Sequence, residues 1–295
     1  MASQLKKIIG KVRSNARAAA SDRLTRAAQV AQLQDHRRDL LESARNSDDR
    51  RLLKYGYRVY SQADEDGILH EILRRIGDGN KTFVEVGAGS GLENNTLFLL
   101  LQGWRGVWIE GSERRVAAAR KHLASAIAER RLHVVQQFVN ARKIDATLQQ
   151  LAPSQVDLLS IDLDGNDYYI LDAIRSVQPR VIVTEYNAKF PPDITWVMEY
   201  NESHQWDSTD YFGASLKALE TLLTAKGYSL VGCNLLGSNA FFVRHELAKD
   251  PPFCSPFTAG NHYEPPRYFL LPVFDSGFPP GFGPCRAGED LKNSH

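Results

Sequence analysis

The chain has 295 residues, 43% of them hydrophobic, and 36 Lys/Arg balance 35 Asp/Glu, a composition suited to one large α/β domain with appendages. No run approaches the ~18 to 20 consecutive apolar residues of a spanning helix, and Met1 to Ala20, though basic, has no uninterrupted apolar stretch of signal-peptide type. Cys233, Cys254 and Cys285 are widely spaced and odd in number, which suits neither a disulfide framework nor a zinc cluster and fits a reducing cytoplasm.

From Gln4 to about Arg51 the sequence is rich in Ala, Arg, Gln and Leu and contains no Pro, which predicts a basic helical extension over 1–51. Leu5, Ile8, Ile9 and Val12 recur at the spacing of one helix face, with Lys6, Lys7, Lys11 and Arg13 on the others. Residues 1–51 carry twelve Lys/Arg against six Asp/Glu. The remainder is mildly acidic, which argues against nucleic acid as a main partner. A basic amphipathic helix suits the anionic inner face of a membrane, where it would sit peripherally, or self-association with a second copy. The plainer reading is a solvated arm, and the sequence leaves these open.

Residues 52–247 alternate short apolar runs with amphipathic helices. Strands are predicted over Thr82–Val86, Gly106–Ile109, Leu132–Val139, Val156–Ile161 and Arg180–Thr184. Between them the spacing predicts helices over Asn95–Gln102, Glu113–Ala128, Ile144–Leu151 and Tyr168–Ser176. Such alternation implies βαβ units and a parallel sheet. A helix over Ala214–Lys226 and strands over Ser229–Gly232 and Ala240–Arg244 complete the set. Gly237-Ser238-Asn239 between the last two permits a hairpin, and so an antiparallel strand on the sheet. Asn187 to Tyr211 is a long insertion with little regular period, the kind of loop that is functional or mobile. Residues 248–295 form a third segment, dense in Pro, Gly and aromatics, expected as extended chain packed on the domain.

The most informative segment is Phe83-Val84-Glu85-Val86-Gly87-Ala88-Gly89-Ser90-Gly91. Glycines after a strand let the chain turn tightly and bring backbone N–H groups to a ligand. A dinucleotide fingerprint would need glycine where Leu92 stands. Glu85, two residues before Gly87, would repel a pyrophosphate and suits a ligand with a cationic amino-acid end, as in S-adenosylmethionine. Glu110 follows Gly91 by 19 residues, where a carboxylate can accept hydrogen bonds from ribose hydroxyls. Glu85, Gly87, Ala88, Gly89, Gly91 and Glu110 are therefore the candidate cofactor residues, with Asn140 and Asp162 just past the third and fourth strands. The bland alternative makes either acid a strand-end carboxylate held by backbone N–H groups.

Ser61-Gln62 with Glu65-Asp66, Phe83 to Gly91, Asn95-Thr96, Gly103-Trp104 with Gly106, and Val156 to Gly165 together resemble the FkbM-type methyltransferases, over about residues 58 to 187. The resemblance implies a Rossmann-like class I methyltransferase fold: a mostly parallel seven-stranded sheet whose last strand is antiparallel. It also implies O-methyl transfer from S-adenosylmethionine, often to sugars or other secondary metabolites. The long insert, the N-terminal arm and the tail depart from the pattern, so the acceptor cannot be carried over.

Ligands of a parallel sheet sit beyond the carboxyl ends of its strands, where Asp162, Asp164, Asp167 and Glu185 gather in sequence. Asp162, Asp164 and Glu185 are hard oxygen donors suited to Mg²⁺; equally, Asp164 and Asp167 suit capping of the next helix. A hydroxyl acceptor needs a base or a metal. His204 in the insert is the candidate base, with Asp162 and Glu185 as further catalytic candidates, though a surface histidine is also commonplace. Phe190, Trp196, Tyr200, Trp206, Tyr211 and Phe212 lie among polar residues of the insert. They suit either a sugar or other small-molecule acceptor, or anchoring of the insert. Two further readings stand beside methyl transfer. Asp162-Leu163-Asp164 also fits a glycosyltransferase holding a nucleotide sugar through Mn²⁺, and the fold could serve a non-catalytic adaptor.

Overall fold

The structure, a computed structural model, describes residues 2–153, 155–163, 165–248 and 253–274, and only the backbone of residues 2–20. It divides into two compact units, 1–46 and 47–295. In the first, one helix, α1 (Ala2–Leu41), realises the predicted arm, and its residues from Ser21 onward are largely exposed. The apolar face of Leu5, Ile8, Ile9 and Val12 lies outside the described side chains. The helix stops where Ser43 Oγ and Asn46 Nδ2 both donate to the Leu40 carbonyl, at 2.7 and 2.9 Å, satisfying an end group that has no intrahelical partner. No helix among the described residues is long and apolar enough to cross a membrane.

The second unit opens with α2 (Glu65–Ile76) and continues β1 (Thr82–Val86), α3 (Leu97–Leu101), β2 (Arg105–Glu110), α4 (Glu113–His122), α5 (Ala124–Ala128), β3 (Leu132–Gln136), α6 (Ile144–Leu151), β4 (Leu158–Ile161), α7 (Asp167–Ala173), β5 (Val181–Glu185), α8 (Leu216–Ala225), β6 (Tyr228–Cys233) and β7 (Asn239–Arg244). The strands form one sheet in the order β3-β2-β1-β4-β5-β7-β6. The first five pair parallel, and β7 runs antiparallel to both β5 and β6. The expected hairpin therefore forms, but it folds back so that β7 enters the sheet beside β5.

Alternation along each strand sends side chains to opposite faces, and both faces are buried. Val84, Val86, Ile109, Leu159, Ile161 and Ile182 pack with α6, α7 and α8 on one side. Phe83, Trp108, Leu158, Val181 and Phe241 pack with α2, α3 and α4 on the other. Helix α2 has no counterpart among the predicted elements. Its Ile68, Leu69, Ile72 and Leu73 face the core at helical spacing, but the acidic start and Gly67 mask the period. The third strand ends at Gln136 rather than Val139 because its partner β2 ends at Glu110, the residue paired with Gln136. The single helix expected over 113–128 breaks at Leu123 into α4 and α5.

Residues 187–211 hold no helix or strand; an isolated bridge joins Val197 within them to Ala214 just beyond. After β7 come short turns of helix, α9 (His245–Ala248), α10 (Ala259–His262), a 3₁₀ turn (Tyr268–Leu270) and α11 (Leu271–Phe274). The tail was expected to be extended; Phe253, Ala259, Leu270 and Phe274 are instead buried from these turns. The proline-rich stretches at 251–252 and 277–284 lie outside the described residues.

Candidate cofactor and acceptor site

The glycine turn leaves β1 at the carboxyl edge of the sheet, and each glycine has its own reason. Gly87 (φ +86°) lies so close to β4 that a Cβ would sit 1.8 Å from the Asp162 carbonyl oxygen. Gly91 (φ +79°) packs on Trp108, with a would-be Cβ 2.3 Å from an indole ring carbon. Gly89 (φ +58°) meets nothing within 4 Å. It has the left-handed backbone that glycine favours together with open space, so the turn presents its backbone outward at that point.

Glu110, at the end of β2, accepts the Gly89 N–H at 2.9 Å on one carboxylate oxygen and the Ser112 N–H at 2.8 Å on the other. Each oxygen has acceptor capacity to spare. The two features that the sequence placed 19 residues apart are brought together.

Glu85 takes a different place. It shares its parity with Phe83 and so points to the face of α2 and α3, and it is 2% exposed. Across the sheet it stands in register with Trp108 and Ser160. Its carboxylate accepts the Asn95 N–H at 2.9 Å and the Thr96 hydroxyl at 2.5 Å. Asn95 Nδ2 donates to Ser160 Oγ at 3.0 Å, and Trp108 Nε1 to Thr96 Oγ1 at 2.7 Å. Burial pushes the Glu85 carboxyl up to about 7, against the hydrogen bonds from Thr96 and Asn95. Glu85, read from the sequence as a ligand contact, thus bonds through both carboxylate oxygens to the segment after the glycine turn, which side chains of three strands fasten from below. Thr96, Trp108 and Ser160 were not legible as partners because only the register joins them.

Asn140, past β3, is buried. Its Oδ1 accepts the Lys143 N–H at 3.0 Å, and its Nδ2 donates to Glu202 of the insert. The insert is fixed over this edge by further bonds. Tyr200 Oη accepts the Ala141 N–H at 3.3 Å, Tyr169 Oη donates to the Met198 carbonyl at 2.8 Å, and Asn166 Nδ2 to the Asn201 carbonyl at 2.8 Å. His204 is thereby laid on Gly165, where a Cβ would lie 2.4 Å from the imidazole Cδ2 and 2.7 Å from Nε2. The structure thus brings His204 onto Gly165, in the loop that follows β4.

Asp162 is exposed and Glu185 half-buried at the ends of β4 and β5. Asp164, the third of the expected metal ligands, lies outside the described residues. Among those described, no group of three His, Cys, Asp or Glu side chains gathers as it would round a metal ion. Asp167, at the start of α7, accepts the Leu163 and Gly165 N–H groups at 2.9 and 3.0 Å; it shapes this loop. Of the insert's aromatics, Phe190 and Trp196 stack at 4.5 Å and Tyr211 meets Trp196 edge-on, so these three brace one another.

A seven-stranded sheet ordered 3-2-1-4-5-7-6 with the seventh strand reversed, carrying a glycine turn after β1 and an acid ending β2, is the class I methyltransferase fold. Residues 116–230 match the family described as the methyltransferase FkbM domain. The match runs from α4 to β6, whereas the glycine turn and Glu110 precede it. No curated protein matches the chain. Solved structures similar to it include the magnesium protoporphyrin IX methyltransferase of Synechocystis PCC 6803 with bound S-adenosylhomocysteine, at 13% identity over 61% of this chain and 85% of that one, with a TM-score of 0.40. A glycopeptide N-methyltransferase complexed with sinefungin is 18% identical over 59% and 84%, TM-score 0.37. An O-methyltransferase of Bacillus cereus is 16% identical over 55% and 67%, TM-score 0.32. The fold assignment stands on the strand order itself.

Proposed function

We propose that the protein is an S-adenosylmethionine-dependent O-methyltransferase acting on a hydroxyl of a sugar, polysaccharide or secondary metabolite. The observation that carries the reading is Glu110 bonded to Gly89 N–H beside the open face of the turn. That is an acceptor for ribose hydroxyls placed against a backbone cradle that a side chain would fill. Gly87, Ala88 and Gly91 shape the cradle for the amino-acid end of the cofactor. Asp162, whose carbonyl touches Gly87, is assigned to the ammonium in place of Glu85. Asn140 is assigned to the adenine end, where Glu202 now engages it.

Bound there, the cofactor supplies a sulfonium methyl to an acceptor oxygen. In-line positioning supplies much of the acceleration of such a transfer, and the chain's residues must hold the hydroxyl and take its proton. His204 on Gly165 receives that proton at an imidazole nitrogen. Glu185, at the neighbouring strand end, accepts a hydrogen bond from the same or an adjacent hydroxyl. The reading needs no Mg²⁺.

Calorimetric titration of the full-length protein with S-adenosylhomocysteine tests the cofactor assignment, followed by transfer of labelled methyl to a panel of hydroxyl acceptors. One-to-one binding and labelled product are expected. A folded protein that ignores the nucleoside, or binds a nucleotide sugar with Mn²⁺ instead, overturns the reading.

A further inference from the structure

A second concavity lies at the amino edge of the sheet, the edge opposite the glycine turn. Its volume of about 460 Å³ falls within the range of small-molecule sites. The start of β2, the turn from α5 into β3 and the end of α6 line it. Val107 of β2 and His133 of β3 are register partners, and Arg105 shares the parity of Val107. All three therefore belong to the α6 face of the sheet. Val107, Ile127 and Leu151 supply an apolar lining.

The polar part of the lining is cationic. Arg105, Arg130, Arg131 and His133 contribute to it, and no Asp or Glu does so among the described residues. Arg131 is already engaged: its Nε donates to Glu129 at 2.8 Å and its Nη1 to the Leu100 carbonyl at 2.8 Å. Arg105, Arg130 and His133 are exposed, and among the described residues their side chains form no hydrogen bond or ion pair. Two guanidiniums without a counter-ion outweigh the charge of about −0.5 that the carbonyl end of α6 brings. Arg130 also stands in strained backbone. Its φ is +58°, in the turn where the Arg131 N–H bonds back to the Ala126 carbonyl at 2.9 Å. Glycine is the usual occupant of such a helix-closing position, because a side chain strains the left-handed backbone.

We propose that this cavity binds an anionic amphiphile, a phosphate monoester carried on an apolar chain. Two guanidinium forks and an imidazole supply more donors than one carboxylate can accept, and they suit a head with three terminal oxygens. The aliphatic lining takes the first methylenes of the chain. A concavity of this size suits one such molecule rather than an extended polyanion. The inference is independent of the cofactor reading. β2 runs from Arg105 in this cavity to Glu110 at the glycine turn, about 17 Å at about 3.3 Å per residue, so both sites can be filled together.

Isothermal titration of the full-length protein with octyl phosphate, inorganic phosphate and octanol tests the proposal. Octyl phosphate should bind one-to-one, and at least about tenfold more tightly than either of the others. Arg130→Gly removes a guanidinium and the backbone strain together. It should therefore melt no lower than wild type, yet bind octyl phosphate about tenfold more weakly. Flotation with phosphatidylcholine vesicles, with and without phosphatidic acid, distinguishes the sources of the ligand. Capture by the acidic vesicles that Arg130→Gly abolishes assigns a membrane lipid, and octyl phosphate binding without such capture assigns a soluble ester. Wild type that ignores octyl phosphate, or binds inorganic phosphate as tightly, overturns the proposal. So does folded Arg130→Gly protein that binds octyl phosphate like wild type.

Discussion

Replacing Glu110 with alanine removes one carboxylate that serves the turn and, on the proposed reading, the ribose. In the free protein its two oxygens accept N–H groups from Gly89 and Ser112 at 2.9 and 2.8 Å, and the residue is 6% exposed. Both N–H groups lie on loops that water reaches once the side chain is gone, so the fold should lose only about 1 to 2 kcal/mol. The cofactor loses more. A hydrogen bond to a charged acceptor contributes about 1.5 to 3 kcal/mol, and ribose brings two hydroxyls. A loss of about 3 kcal/mol corresponds to a Kd raised by about two decades. Glu110→Gln keeps the shape and one oxygen but no charge, and should fall between, near tenfold. Isothermal titration with S-adenosylhomocysteine gives the affinities, and thermal unfolding followed by circular dichroism verifies the fold. A folded Glu110→Ala protein binding within threefold of wild type would refute the assignment of ribose to this residue.

Gly91→Ala and Gly89→Ala should separate fold from ligand. The first drives a Cβ into Trp108 and the second meets open space, though both carry left-handed strain of about 1 to 2 kcal/mol. Gly91→Ala should therefore lower the melting temperature more, while both weaken S-adenosylhomocysteine; the reverse order of stabilities would contradict the geometry. Glu85 gives a pH signature. Its folded pKa of about 7 lies above an ordinary Glu near ~4.3, so the fold retains a proton that the unfolded chain has released. That contribution is fully present below the unfolded value and is lost as pH rises through 7, amounting to about 2.5 kcal/mol between pH 5 and 8. The difference between wild type and Glu85→Gln in urea unfolding should shrink accordingly; parallel profiles would place the pKa elsewhere. A chain beginning at Ser47, the start of the second compact unit, should bind S-adenosylhomocysteine with unchanged affinity, and a folded truncation that cannot bind would tie α1 to the site.

Much of the sheet was legible because parallel strands covered on both faces must be short apolar runs, and each of the seven predicted strands corresponds to one that forms. Boundaries moved where pairing rather than composition decides them, as at Gln136, which ends with its partner Glu110. Helix α2 escaped notice for a local reason. Its first turn is acidic because Asp66 turns back to accept the Val59, Tyr60 and Ser61 N–H groups at 2.7, 2.7 and 2.9 Å, and such a turn reads as a loop until the fold is known.

The sequence by itself determined that a glycine turn follows a strand and that acids end the first, second, fourth and fifth strand regions, since these are matters of local chain order. Which way each of those acids points was decided only by the tertiary structure. Parity and register turned Glu85 onto Thr96 and Asn95, beneath the turn, and left Glu110 on the Gly89 and Ser112 N–H groups. Likewise, nothing in the local sequence announces that the Tyr186 hydroxyl will hold the carbonyl of Glu264, 78 positions further along the chain. Contacts between distant segments depend on how faces pack, and packing is a property of the whole folded chain rather than of any window along it.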